Sequence, residues 1–209
     1  MTILYEDADL LVCVKPRNVL SAADASGRPS VPEFLSPRTV FPVHRLDREA
    51  TGLMVFAKTK ACAAFLSKAM ETGFEKEYLA LCEGQPESEG ALTDLLYHDR
   101  VKNKTYVVRR RRNGVREARL SYRVLHGGTR SLLQVRLFTG RTHQIRVQFA
   151  SRGCPLVGDR KYGAKTGGDL QLYSWCLSFP HPDGHRMTFT LPEEFLDPGC
   201  LPAQNGFPL

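Results

Sequence analysis

Apolar residues in this 209-residue chain gather into short runs rich in β-branched and aromatic side chains, and very few of them recur at helical spacing. "LLVCV" (10–14) runs into Lys15-Pro16 and predicts a buried strand ended by proline. "LMVFA" (53–57), "KEYLALCEG" (76–84), "ARLSYRVL" (118–125) and "SLLQVRLF" (131–138) predict further strands. The second of these is apolar on both faces and therefore interior; the last alternates, with Leu133, Val135 and Leu137 inward and Gln134 and Arg136 outward. Helical spacing is confined to Ala61, Phe65, Leu66, Ala69 and Met70, with Thr59 to cap and Gly73 to stop, and to "THQIRVQFASRG", with Thr142 to cap and Gly153 to stop. Residues 21–39 and the acidic stretch 85–95 predict irregular loops, and "HPDGH" (181–185) a turn between strands. Many strands without regular βαβ alternation point to an α+β fold, a mixed and mainly antiparallel sheet with flanking helices. One domain over 1–197 is expected, with 198–209 ("GCLPAQNGFPL" following Pro198) as a flexible tail.

The charge is segregated. Residues 100–165 carry 18 Lys and Arg against Glu117 and Asp159 alone, whereas the remainder is net acidic and the whole chain is +7. A basic face on an acidic body suits a polyanion, and "RVKNKTYVVRRRRNGVREARL" lacks the pattern of a basic amphipathic membrane helix. The N-terminus has acids where a secretory leader has a basic start, and no stretch approaches a membrane span, so a cytoplasmic location is expected. Six scattered cysteines without a CxxC pair indicate buried thiols and neither a disulfide frame nor zinc. No Walker loop, dinucleotide fingerprint or metal-ligand spacing is present, so no metal, nucleotide or other cofactor is expected.

Within this frame "VHRLDREATGL" (43–53) stands out, because Asp47 sits between Arg45 and Arg48 on a connection between two predicted strands. An ordinary screened surface ion pair would account for it. So would an acid kept ionised for chemistry on a rigid scaffold. His44-Arg45-Leu46-Asp47, then Lys76-Glu77-Tyr78-Leu79-Ala80, then "GRTHQIR" (140–146) with "GCPLVGDRKYG" behind it, occur in an order that resembles the RluA family of RNA pseudouridine synthases, from about residue 4 to about residue 191.

That resemblance implies the pseudouridine synthase fold with a central active-site cleft. It implies Asp47 as catalytic aspartate, Tyr78 beside it, Arg146 as the cation that pairs with it, and Arg45 as the side chain filling the space left by a flipped nucleotide. The implied reaction isomerises uridine in ribosomal or transfer RNA: the ribose–N1 bond breaks, the uracil turns, and C5 is joined to the sugar. Attack by Asp47 on the sugar, attack on the base, and assistance to an eliminated sugar are all open to such a carboxylate. Extruding a stacked base costs a few kcal/mol, and a long planar cation suits the vacated space. His44, Arg141, Gln144 and the run Arg109, Arg110, Arg111, Arg112 are the further candidate RNA contacts; Arg48 is expected as a surface or phosphate contact and His143 as a structural hydrogen-bonder. Relatives often carry a small RNA-binding S4 module ahead of the catalytic domain, and with the first strand beginning near Met1 none is expected here. The alternative is a non-catalytic RNA-binding or chaperone protein of the same fold, and a monomer is expected in either case.

Overall fold

The computed structural model describes residues 1–200. Along the chain run β1 (Thr2–Glu6), β2 (Leu10–Lys15), α1 (Val31–Phe34), β3 (Phe41–Pro42), β4 (Thr51–Ala57), α2 (Lys60–Ala69), β5 (Glu75–Glu83) and β6 (Glu89–Asp99). There follow β7 (Lys104–Val108), β8 (Val115–His126), β9 (Arg130–Leu137), α3 (Gln144–Ala150), β10 (Leu172–Pro180) and β11 (Arg186–Thr190). This is an α+β chain of many strands and few helices, and no described helix is long and apolar enough to cross a membrane. It divides into two compact units, one of residues Met1–Lys76 with Tyr173–Phe195 and one of Glu77–Leu172 with the segment from Leu196.

In the first unit the strand order is β1-β2-β4-β10-β11, with β3 also paired to β4. The pairs are antiparallel except β4 with β10, which run parallel at Thr51 and Gly52 against Tyr173 and Ser174. Every residue of β2 and β4 is buried, as uninterrupted apolar runs require. Gly52 adopts φ +120°, and a Cβ there would lie 2.4 Å from the Ser174 carbonyl oxygen, so only glycine lets β4 start this close to β10. The helix expected after Thr59 is α2, and the Thr59 hydroxyl accepts from the Cys62 N–H at 3.1 Å. Residues 21–39 are irregular except for the single turn of α1.

In the second unit the order is β5-β9-β8-β6-β7. Residues 78–82 of β5 are all buried, and β9 alternates as its sequence requires. The stretch expected as an acidic loop is a strand from Glu89 onward, paired antiparallel with β8. Its acids mislead because Leu92 and Leu96 face inward while Asp94 is taken up by Arg152 (2.9 Å) and Gln148 (2.7 Å). A second correction concerns α3, whose N-cap is His143 in the left-handed region (φ 54°) and not Thr142. The Thr142 carbonyl instead accepts from the Thr105 hydroxyl, tying the approach to α3 onto β7. Val147 of α3 packs with Leu96, Ala118 and Tyr162.

All six cysteines are free thiols, five of them buried. Pro198–Cys200, where the flexible tail was expected to begin, form one 3₁₀ turn; the rest of that expectation, 201–209, lies outside the described residues.

Candidate active site

Asp47 lies in the connection between β3 and β4, half-buried, on a loop tied down at every neighbouring peptide. The Leu46 N–H donates to the Ser21 hydroxyl and the Ser21 hydroxyl donates to the Leu46 carbonyl, both at 2.9 Å. The Ala50 N–H donates to the Asp47 carbonyl (3.1 Å), closing a turn, and the Asn18 N–H donates to the Arg48 carbonyl at 2.8 Å. The strongest strap is Lys15. Its side chain is fully buried, and its ammonium spends all three protons on backbone carbonyls: Pro16 at 2.8 Å, Val19 at 2.9 Å and Arg48 at 3.0 Å. Burial pushes the Lys15 pKa down to about 8, while the carboxylates of Asp47 and Glu49 pull the other way.

His44 braces the same loop. Its Nε2 accepts from the Val55 N–H at 3.1 Å, so the ring carries its proton on Nδ1, and the ring packs on Phe74. Burial, reinforced by Lys76, pushes its pKa down to about 3, and the imidazole is neutral under ordinary conditions. Arg45 is exposed, and Arg48 is half-buried with its guanidinium 3.1 Å from Glu49.

Tyr78 and Arg146 belong to the second unit, Asp47 to the first. Tyr78 is buried in β5. Arg146, buried in the first turn of α3, forms a two-pronged ion pair with Asp159: Nε to Oδ2 at 2.7 Å and Nη2 to Oδ1 at 2.8 Å. Its guanidinium also lies 5.3 Å from the centroid of Tyr162. The Tyr162 hydroxyl accepts from the Thr105 N–H (2.8 Å) and pairs with His143 Nδ1 at 2.9 Å, so the ring under the guanidinium is anchored on two sides. Asp159 follows Gly158, whose φ of +79° and close approach to the Asp169 carbonyl (2.1 Å from a notional Cβ) exclude any other residue. The Gly-Asp dipeptide therefore exists to aim a carboxylate at Arg146.

Lys15 and Asp159 were not singled out from sequence, yet both left a trace. Lys15 closes an apolar run that is buried throughout, and Asp159 is one of only two acids among 18 cations. Gln144 is buried and held at both ends of its amide: its Oε1 accepts from the Thr139 hydroxyl (2.8 Å) and the Arg141 N–H (3.0 Å), and its Nε2 donates to the Arg119 carbonyl (3.1 Å). Arg141 is exposed, its Nε donating to the Glu117 carbonyl at 3.0 Å. Arg109 to Arg112 are all exposed on the connection from β7 to β8; Arg111 meets Glu117 at 2.9 Å and Arg112 lies over Tyr97 at 4.7 Å.

Residues 9–151 match the sequence profile of the family described as RNA pseudouridylate synthase. The chain belongs to that family. Within it, the chain is of the RluA type: it is 30% identical over 211 residues to the dual-specificity RNA pseudouridine synthase RluA of Salmonella typhimurium, covering 93% of this chain and 94% of that one. It is 34% identical over 177 residues to the ribosomal large subunit pseudouridine synthase D of Yersinia pestis, covering 79% of this chain but 53% of that protein. The chain thus spans about half the length of that relative. In fold it is similar to human RNA pseudouridylate synthase domain containing 1, with a TM-score of 0.78 at 24% identity over 95% of this chain and 85% of that one. Against human domain containing 4 the TM-score is 0.75, also at 24% identity, over 93% and 90%.

Proposed function

We propose that this pseudouridine synthase family member isomerises uridine in RNA, with Asp47 as the reacting carboxylate. The observation that carries the reading is the Asp47 loop itself. A loop held through Ser21, Asn18 and a buried three-donor lysine is far more constrained than a surface ion pair needs. Chemistry that must place one oxygen against a flipped base does need it. Tyr78 is the aromatic residue of the site, and Arg146, held by Asp159 and Tyr162, is its catalytic cation. Arg45, exposed next to the loop, takes the space the base vacates. His44 and Gln144 serve RNA indirectly, by holding the loop and the start of α3, while Arg141 and the arginines of 109–112 contact phosphate. The enzyme works as a monomer on ribosomal or transfer RNA and needs no nucleotide cofactor.

The test is nucleoside chromatography of RNA incubated with the purified protein. Wild type should produce pseudouridine, and Asp47→Asn should produce none while its salt-dependent RNA binding stays near wild type. RNA binding without pseudouridine in the wild type as well would make this a non-catalytic RNA-binding protein of the family.

A further inference from the structure

The turn between β10 and β11 was expected from sequence to be a turn and nothing more, and "HPDGH" is indeed one: the His181 N–H donates to the His185 carbonyl at 2.8 Å and Gly184 takes φ +100°. The pairing of its ends, with the short Pro182-Asp183-Gly184 tip between them, folds three potential ligands onto one another. His181 Nδ1 is 2.9 Å from Asp183 Oδ1, His185 Nδ1 is 2.5 Å from that same oxygen, and the two rings stack at 4.7 Å. All three donor atoms lie within 4.8 Å of one another. Three lone-pair atoms this close need protons or a cation among them.

A second observation lies outside the turn. His181 is buried, and its other nitrogen, Nε2, is 3.0 Å from Asp7 Oδ2. Asp7 is itself fixed, its Oδ1 accepting from the N–H groups of Asp9 and Leu10 and its Oδ2 from the Tyr5 hydroxyl, each at 2.8 Å. A carboxylate that accepts a hydrogen bond from Nε2–H sets the tautomer in which Nδ1 carries a lone pair, and the Asp183 N–H donates to that lone pair at 3.3 Å. A carboxylate behind a ligating imidazole is the usual outer support of a metal site.

We propose that His181, Asp183 and His185 bind a divalent transition-metal ion of borderline softness, such as Zn²⁺, with Asp7 as the supporting carboxylate. Two imidazoles and one carboxylate make a ligand set that Zn²⁺, Co²⁺ and Ni²⁺ accept and that Mg²⁺ and Ca²⁺ do not favour. Asp183 and His185 are exposed, which leaves a path for entry and room for water to complete the coordination. Bound there, the ion ties the β10–β11 turn through His181 to the turn between β1 and β2. This inference does not depend on the proposed RNA chemistry.

The experiment uses the full chain without a histidine tag, stripped with chelator and titrated with Co²⁺ and Zn²⁺ by absorbance and calorimetry. The expected result is one ion per chain and a Co²⁺ spectrum with visible d–d bands but no thiolate charge-transfer band. His185→Gln and Asp183→Asn, both at exposed positions, should abolish uptake, and Asp7→Asn should weaken it by about 10- to 100-fold. The thermal midpoint should rise with Zn²⁺ in the wild type and not in His185→Gln. Absence of stoichiometric uptake, uptake indifferent to His185→Gln, or a thiolate band assigning the ion to cysteine would each overturn the proposal. In the first case the cluster is a proton-bridged imidazole–carboxylate network alone.

Discussion

Each of the two units buries a cation, Lys15 beneath the Asp47 loop and Arg146 in α3, and each compensates the charge differently. Lys15, in the first, is matched by three neutral carbonyls; Arg146, in the second, by a carboxylate gripped at two points and an aromatic face. Dipoles satisfy hydrogen bonds but leave the cost of the buried charge only partly offset, and so burial pushes the Lys15 pKa down to about 8. An ion pair offsets the charge itself, at the cost of making each partner depend on the other. The first arrangement shapes backbone around Asp47 and the second fixes a side chain. Breaking them should therefore have different consequences.

The largest effect is expected at the ion pair. Arg146→Leu leaves Asp159 buried without its partner and should cost about 3–5 kcal/mol of stability, a large share of the roughly 5–15 kcal/mol typical of a folded protein. Chemical denaturation read by circular dichroism would show it as a lowered midpoint. Replacing both partners, Arg146→Met with Asp159→Leu, should recover most of that stability without recovering activity, which separates the structural role of the pair from its chemical one.

Next comes Gly158→Ala. The added methyl meets backbone and not a flexible side chain, so a destabilisation on the order of 1–3 kcal/mol is expected, against little change for Gly127→Ala, where φ is not left-handed and a Cβ meets nothing closer than the Val124 side chain at 3.9 Å. Equal midpoints for the two variants would remove the argument that the Gly-Asp dipeptide is there to aim Asp159.

Lys15→Met should lower kcat more than it lowers stability, because it frees the Arg48 carbonyl beside Asp47 while also removing a buried charge worth on the order of 3 kcal/mol. The pH dependence has a definite sign. Between about pH 8 and the ordinary lysine value of 10.5 the unfolded chain holds the proton and the folded chain does not, so wild type gains stability relative to Lys15→Met as pH rises through that window. Below about 8 both states are protonated and the difference is flat. Unfolding free energies of the two proteins at about pH 7 and about pH 10 provide the check; a parallel pH dependence would show that Lys15 does not titrate in this range.

The smallest effect is expected on the arginine arm. Arg111 and Arg112 already have Glu117 and Tyr97 as neighbours, so neutralising Arg109 and Arg110 should flatten the salt dependence of RNA binding more than neutralising the other two. Each lost phosphate contact should reduce the slope by about 0.7 for single strands. Slopes unchanged from wild type in both double variants would contradict the assignment.

Patterning made the strands and α2 legible in the sequence, because β2, β4 and residues 78–82 of β5 are buried throughout as their apolar runs dictate, β9 alternates, and Thr59 caps as its hydroxyl allows. The strand β6 was obscured by acids whose partners, Arg152 and Gln148, lie more than fifty positions away. The cap of α3 was misassigned because a left-handed histidine, not a hydroxyl, ends the approach, with Gln144 turning back to hold the Arg141 N–H. Of the candidate site, the ordered motifs pointed to Asp47, Tyr78 and Arg146. They could not expose what holds them, since Lys15 acts through carbonyls that carry no sequence signature, and Asp159 becomes a partner only once Gly158 has turned the chain. The same holds for Asp7, some 174 positions from the histidine it supports.

The central claim is that a carboxylate on a strapped loop performs the isomerisation, and the bond to hydrogen at uridine C5 must break when that carbon joins the sugar. The most direct measurement is therefore release of tritium to water from RNA carrying the label at uridine C5, compared for wild type, Asp47→Asn and Lys15→Met under single-turnover conditions. The account predicts release by wild type, slower release by Lys15→Met and none by Asp47→Asn in a protein with an unchanged denaturation midpoint. Release by Asp47→Asn at the wild-type rate would contradict it.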